Sequence, residues 1–162
     1  MIKTNTSTYL DYNATVPLLS NVKKSMIDFM GLGPVNASSV HFYGRRGKNI
    51  IERAKVNIAE LINTKSENII FTSSATESIN LLFSNFDTII VSAIEHLAVL
   101  SASKSNQIIP VNKSGVVDLN YLERFLKNKS KNKKNILISV MWVNNETGVV
   151  QPIEDVIKLS KQ

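Results

Sequence analysis

Residues 69–82 constrain the fold of this chain more than any other stretch. The apolar pair Ile69-Ile70 runs into Phe71-Thr72-Ser73-Ser74-Ala75-Thr76-Glu77-Ser78, and Ile79, Leu81 and Leu82 follow. That order reads as the end of a buried strand, a hydroxyl-rich turn and the start of a helix. In an α/β fold such a turn presents backbone N–H groups that have no partner inside the helix. Ser73, Ser74 and Thr76 add hydroxyl donors, and the combination suits a phosphate or another anion. The same residue types also cap helices, and the turn alone does not separate binding from capping.

A chain of 162 residues with 43% hydrophobic content is long enough for one α/β domain with a core. It has no cysteine, which excludes disulfides and thiolate metal sites within it. Its two histidines, His41 and His96, argue against a histidine-rich metal centre. No apolar run reaches the length of a membrane span. The polar start Met1-Ile2-Lys3-Thr4-Asn5-Thr6 lacks a signal-peptide core. No membrane association is expected, and a cytoplasmic location is. The formal charge is +6, with much of the excess in Lys127–Lys134. That tract has no interleaved aromatic residue, so it reads as a solvated connector rather than a nucleic-acid site.

Tyr9-Leu10 is strand-like and passes into an irregular segment ending at Pro17. Val22, Met26, Phe29 and Met30 have helical spacing, closed by Gly31-Leu32-Gly33-Pro34. Val35–Gly47 holds His41, Phe42 and Tyr43 side by side and reads as an active-site or interface loop. Ile51, Ala54, Ile58, Leu61 and Ile62 line one side of a long helix. Thr88–Ser92 is an apolar, β-branched strand that runs into Glu95-His96. Gln107–Val111 is a further strand, placed at an edge or a terminus by Pro110. Asp118 caps a helix carrying Leu119, Leu122, Phe125 and Leu126. Asn135–Trp142 reads as a central strand opening onto Val143-Asn144-Asn145-Glu146-Thr147-Gly148, and Pro152 suits a first helical position.

The chain is therefore expected to be α/β, with a mostly parallel sheet and flanking helices. Three strand ends carry polar groups, namely the Ser73–Thr76 turn, His96, and Asn144-Asn145-Glu146. Parallel strands bring their carboxyl ends to one rim. The three clusters can meet there around an anionic, aromatic ligand.

Five motifs in order resemble the cysteine desulfurases of the class V, pyridoxal 5′-phosphate-dependent aminotransferase group. They are Tyr9-Leu10-Asp11-Tyr12-Asn13-Ala14-Thr15, Asn36-Ala37-Ser38-Ser39-Val40-His41, Phe71–Ser78, Glu95-His96-Leu97-Ala98-Val99-Leu100 and Val143–Gly148. The resemblance implies part of the large domain of the fold type I transferases over residues 21–162, with residues 1–20 as a leader packing on the domain or a partner. It implies pyridoxal 5′-phosphate as cofactor, with its phosphate held by Ala75 and Thr76. It implies that His96 stacks on the pyridine ring and assists proton transfer, and that Asn145 contacts the phenolic oxygen. The reaction it implies takes sulfur from L-cysteine and leaves L-alanine, in a homodimer.

Three departures accompany the match. Ser74 stands where the family has glycine, so its Cβ is expected to crowd the turn or to demand a different backbone. Ala37 replaces a proline, and the segment from Ser78 to His96 is shorter than usual. The ring-nitrogen aspartate and the cofactor-linking lysine of the family have no counterpart in the motifs, and there is no cysteine to carry a persulfide. The expectation is a truncated or split desulfurase-like protein, inactive alone or completed by a separate C-terminal half chain. The alternatives are a non-catalytic interaction or regulatory module and, more weakly, a basic nucleic-acid-binding protein. An exposed sheet edge is expected to favour association.

Overall fold

The computed structural model describes residues 8–102, 107–129 and 135–161. The chain forms two compact units, one through Phe71 and one from Thr72.

The first unit is helical. Helix α1 spans Ser20–Met30 and stops at Gly31, with Gly33 following at φ +80°. Helix α2 spans Phe42–Leu61. It starts inside the segment expected to be a loop, so Phe42–Gly47 is helix and only the residues before His41 are irregular. The correction has a local cause. His41 is the N-cap, its Nδ1 accepting the Gly44 N–H at 3.4 Å. Gly44 and Gly47 are buried beneath the preceding segment. A Cβ on Gly44 would sit 2.0 Å from the Ser39 carbonyl oxygen, and one on Gly47 2.4 Å from Val35 Cγ1. These glycines permit close packing of chain on helix rather than loop flexibility.

Two expected strands are absent from this unit. Tyr9-Leu10 leads into a turn in which the Ala14 N–H donates to the Asp11 carbonyl at 3.2 Å. The Tyr9 hydroxyl donates to the same carbonyl at 2.9 Å. Ile69 has extended backbone angles after the short 3-10 turn Ser66–Asn68. It has no strand partner among the described residues, and Ile70 is 76% exposed. Extended conformation alone does not make a strand, because the backbone donors and acceptors need a neighbour.

The second unit is a three-layer α/β arrangement. Strand β1, Thr88–Ser92, lies between β2, Gln107–Ile109, and β3, Ile136–Ser139, and both pairings are parallel. Ile89 and Val91 point to one face and pack with Phe83 and Val99. Ile90 points to the other and packs with Ile109, Val117, Leu122 and Val156. Helices α3, Ala75–Phe83, and α4, Leu97–Leu100, supply the first face. Helices α5, Leu119–Lys129, and α6, Ile153–Ser160, supply the second. Asp118 caps α5 through a 3.0 Å bond from the Tyr121 N–H.

Both outer strands are shorter than their apolar runs. Pro110 has no N–H to extend β2, and its carbonyl accepts from Asp118 instead. Beyond Ser139 the backbone of β3 turns to other partners, with Met141 donating to Glu95 and Trp142 accepting from Gln151. Pro152 is the N-cap of α6 rather than its first helical residue. The basic tract is also partly helical. Lys127 lies in α5 and pairs with Glu123 at 2.6 Å, while residues 130–134 lie outside the described residues.

Gly44→Ala is expected to destabilise the first unit by about 1–3 kcal/mol, since the clash is with backbone. Gly31→Ala, at an ordinary helical φ with its nearest neighbours at van der Waals distance, should change stability by less than ~0.5 kcal/mol. Urea denaturation of the two variants followed by circular dichroism measures the difference.

Candidate functional site

The turn before α3 is held by its own side chains. Ser74 is the N-cap, and its Oγ accepts the Glu77 N–H at 3.2 Å. Glu77 reaches back and accepts from both the N–H and the hydroxyl of Ser73, each at 2.6 Å. This is a capping box displaced by one residue toward the N-terminus. The two bonds from Ser73 hold the Glu77 carboxyl below the ordinary glutamate range. Thr72 closes the turn by donating to the Ser74 carbonyl at 3.0 Å, and its hydroxyl pairs with that of Ser78 at 2.6 Å.

Ala75 and Thr76 follow at the first two helical positions. Their N–H groups donate to no acceptor among the described residues, and both residues are exposed. Ser73, Ser74 and Glu77 thus serve the cap, and the two amides that follow Ser74 take no part in it. Ser74 in place of glycine carries no backbone strain. Its φ of −165° and ψ of 164° are ordinary extended values that any residue adopts.

His96 lies four residues beyond the end of β1, after a turn at residues 93–94. It caps α4, with Nδ1 accepting the Ala98 N–H at 3.0 Å. A ring nitrogen that accepts carries no proton, so in the neutral imidazole Nε2 is the donor. The ring remains exposed. The residue before it behaves oppositely. Glu95 is 8% exposed and accepts the Met141 N–H at the far side of the β1–β3 pair. Burial pushes its carboxyl up, and the Met141 N–H partly offsets that shift.

The loop after β3 repeats this alternation. Asn144 is buried, its Nδ2 donating to the Ile94 carbonyl at 2.9 Å. Its Oδ1 accepts from the Glu146 N–H, the Thr147 N–H and the Thr147 hydroxyl at 2.8–3.0 Å. Gly148, at φ +72°, closes the loop by donating to the Asn144 carbonyl at 2.8 Å. Val143 and Val150 form an antiparallel bridge at its neck. Gln151 is buried and binds Val117 N–H and the Gly115 carbonyl at 3.0 and 2.8 Å. Asn145, next to the buried Asn144, is exposed.

The expected site residues thus stand on one side of the second unit. Glu95 and Asn144 tie the His96 and Asn145 segments together. Helix α3 packs against α4 and ends in a tight turn that leads into the start of β1. It therefore runs back along the sheet, and its N-terminal turn faces the carboxyl rim. Asn144, expected among the polar groups around the ligand, is instead buried and bonded within the protein, and with Glu95 and Gln151, which sequence reading missed, it organises this rim. No local signal marks them, because their partners lie 34–50 residues away in the chain. No cluster of His, Asp and Glu among the described residues could hold a metal ion. No helix of the described residues is long and apolar enough to cross a membrane.

Comparison with known proteins identifies the family and the fold. The family model for class-V aminotransferases matches residues 8–162. A cysteine desulfurase IscS of Dictyoglomus turgidum is 38% identical over 95% of the chain, and cysteine desulfurase IscS 1 of Archaeoglobus fulgidus is 37% identical over 93%. The chain spans 42% of the length of each. An X-ray structure of a NifS-like protein from Rickettsia africae superimposes with a TM-score of 0.83 at 38% identity, covering 94% of this chain and 44% of that one. The fold is thus that of part of the NifS-like enzymes, and the chain belongs to the class-V aminotransferase family.

Proposed function

We propose that this chain supplies the phosphate-binding half of a pyridoxal 5′-phosphate site in a cysteine desulfurase. The observation that carries the reading is the pair of unpartnered N–H groups at Ala75 and Thr76. They stand at the N-terminus of a helix whose turn faces the same rim as His96 and Asn145. Two backbone donors at the positive end of a helix match a phosphate in charge and in hydrogen-bonding capacity. The bound cofactor would supply the electron sink for breaking bonds at the substrate α-carbon.

The chain's own groups orient and cover that cofactor. Ala75 and Thr76 hold the phosphate. The exposed His96 ring stacks on the pyridine, with its Nδ1 fixed by Ala98 and its Nε2 left to exchange a proton. Asn145 donates to the phenolic oxygen. Residues 21–162 form part of the large domain, and residues 1–20 are the leader that packs on it or on a partner subunit. The substrate is L-cysteine and the product L-alanine. With no cysteine in the chain, the thiol that accepts sulfur is contributed by another polypeptide segment. The chain alone binds the cofactor without turnover.

The phosphate contact is testable by removing one donor without disturbing the helix. Proline is favoured at the first helical position, and the extended Ser74 before it tolerates the ring. Ala75→Pro should leave the helical circular dichroism unchanged. It should weaken pyridoxal 5′-phosphate binding by about 1.5–3 kcal/mol, the value of a hydrogen bond to a charged group. Calorimetric titration showing wild-type affinity in this variant, or no binding by the wild type, would count against the reading.

The turn should also respond to acid. The Glu77 pKa is lowered in the folded chain, so its contribution is complete above the ordinary glutamate range and is lost as pH falls through the folded value. The Ser73 amide resonance is expected to move only below the ordinary glutamate range. In Glu77→Gln that titration should vanish.

A further inference from the structure

Two buried polar side chains cross between the exits of β1 and β3 in opposite directions. Glu95 leaves the β1 exit and accepts the Met141 N–H. Asn144 leaves the β3 exit and donates to the Ile94 carbonyl at 2.9 Å. Glu95 is 8% exposed and Asn144 6%. The residue immediately after each is exposed, and these two are His96 and Asn145. We infer that Glu95 and Asn144 form a reciprocal latch that sets the spacing of His96 and Asn145, so that both act as positioning residues for the ring of the ligand. This rests on the cofactor reading given above.

The chemistry favours a positioning role over simple core filling. A carboxylate and an amide at the end of a parallel sheet are costly to bury unless each is hydrogen-bonded. An apolar pair of similar volume would cover the same face without that cost. What the polar pair adds is direction. A side chain that must meet one backbone N–H, and another that must meet one backbone carbonyl, fix the register of the two exits relative to each other. Strand pairing cannot do so there, because the ladder between β1 and β3 ends at the Val91–Ser139 partners. The His96 cap begins two residues after Ile94, and Asn145 directly follows Asn144. A shift of the exits therefore moves both groups that would touch the ring. The Ala75 and Thr76 amides belong to α3 and form no hydrogen bond with either latch residue.

That separation gives the latch a distinctive signature. Glu95→Ala removes the acceptor, and Glu95→Gln keeps a carbonyl oxygen able to accept from Met141 while removing the charge. In the full chain, nuclear magnetic resonance should show the His96 imidazole and Asn145 side-chain amide signals displaced in Glu95→Ala and restored in Glu95→Gln. Asn144→Ala should displace the same two sets. Calorimetric titration is the second arm. Glu95→Ala should weaken pyridoxal 5′-phosphate by roughly tenfold or more, as removal of residues that orient ligating groups does. It should leave inorganic phosphate affinity unchanged. Unmoved His96 and Asn145 signals in folded Glu95→Ala would overturn the latch whatever the titration shows. Equal loss of both ligands would also overturn it, since the defect would then be general. A wild-type chain that does not prefer pyridoxal 5′-phosphate over phosphate would instead refute the cofactor reading, and the resonance arm would still decide the latch.

Discussion

Burial of β1 on both faces is the condition on which the second unit depends, because a parallel strand with side chains on two sides needs a layer of helices on each. Ile90 and Val91 are fully buried, on opposite faces, and each face has its own cluster. Full burial of one such side chain contributes about 1.5–3 kcal/mol, an upper figure because the unfolded chain already hides some apolar surface. The helices that cover the faces are thereby fixed in position. So are their termini and the strand exits, which is where the polar residues stand. Packing at the centre determines the geometry at the rim.

The rim repeats one pattern at two exits. Glu95 turns in and His96 stays out, while Asn144 turns in and Asn145 stays out. In both places the inward residue is held by a hydrogen bond across to the other exit, and the residue after it is left at the surface. The α3 turn follows the same logic with a helix cap as anchor. Ser74 and Glu77 satisfy their local bonds and leave the next two amides unpaired. In each case the structural residue and the candidate binding residue are neighbours with separate tasks.

Much of the second unit was legible in the sequence. The β-branched run Thr88–Ser92, the Asp118 cap and the glycines at 115 and 148 carry local signals strong enough to be read without a structure. The Ser73–Thr76 turn, His96 and the Asn144-Asn145-Glu146 cluster were legible because strand exits and helix starts are where such folds expose polar groups, whereas the individual choice of Ala75, Thr76 and Asn145 came from the family resemblance. The partners across the sheet were not. Nothing local distinguishes Glu95 from a solvated glutamate, since its role depends on Met141, 46 residues away. In the first unit, Ile69-Ile70 has strand composition but lacks a neighbour, and pairing is a non-local property. The Val35–Gly47 segment was misread because glycine is ambiguous. At 44 and 47 it provides space for Ser39 and Val35, a need visible only when the two pieces of chain are in contact.

The closed loop after β3 has a thermodynamic consequence. Its neck is bridged at Val143 and Val150, its interior is bonded to the Asn144 amide, and its exit is tethered by Gln151 to Gly115 and Val117. Each residue so fixed surrenders its conformational freedom when the chain folds, at about 1–2 kcal/mol of backbone entropy apiece. Any group that meets this loop finds a segment already ordered and need not immobilise it again. Its backbone then adds no search of loop conformations to such an encounter.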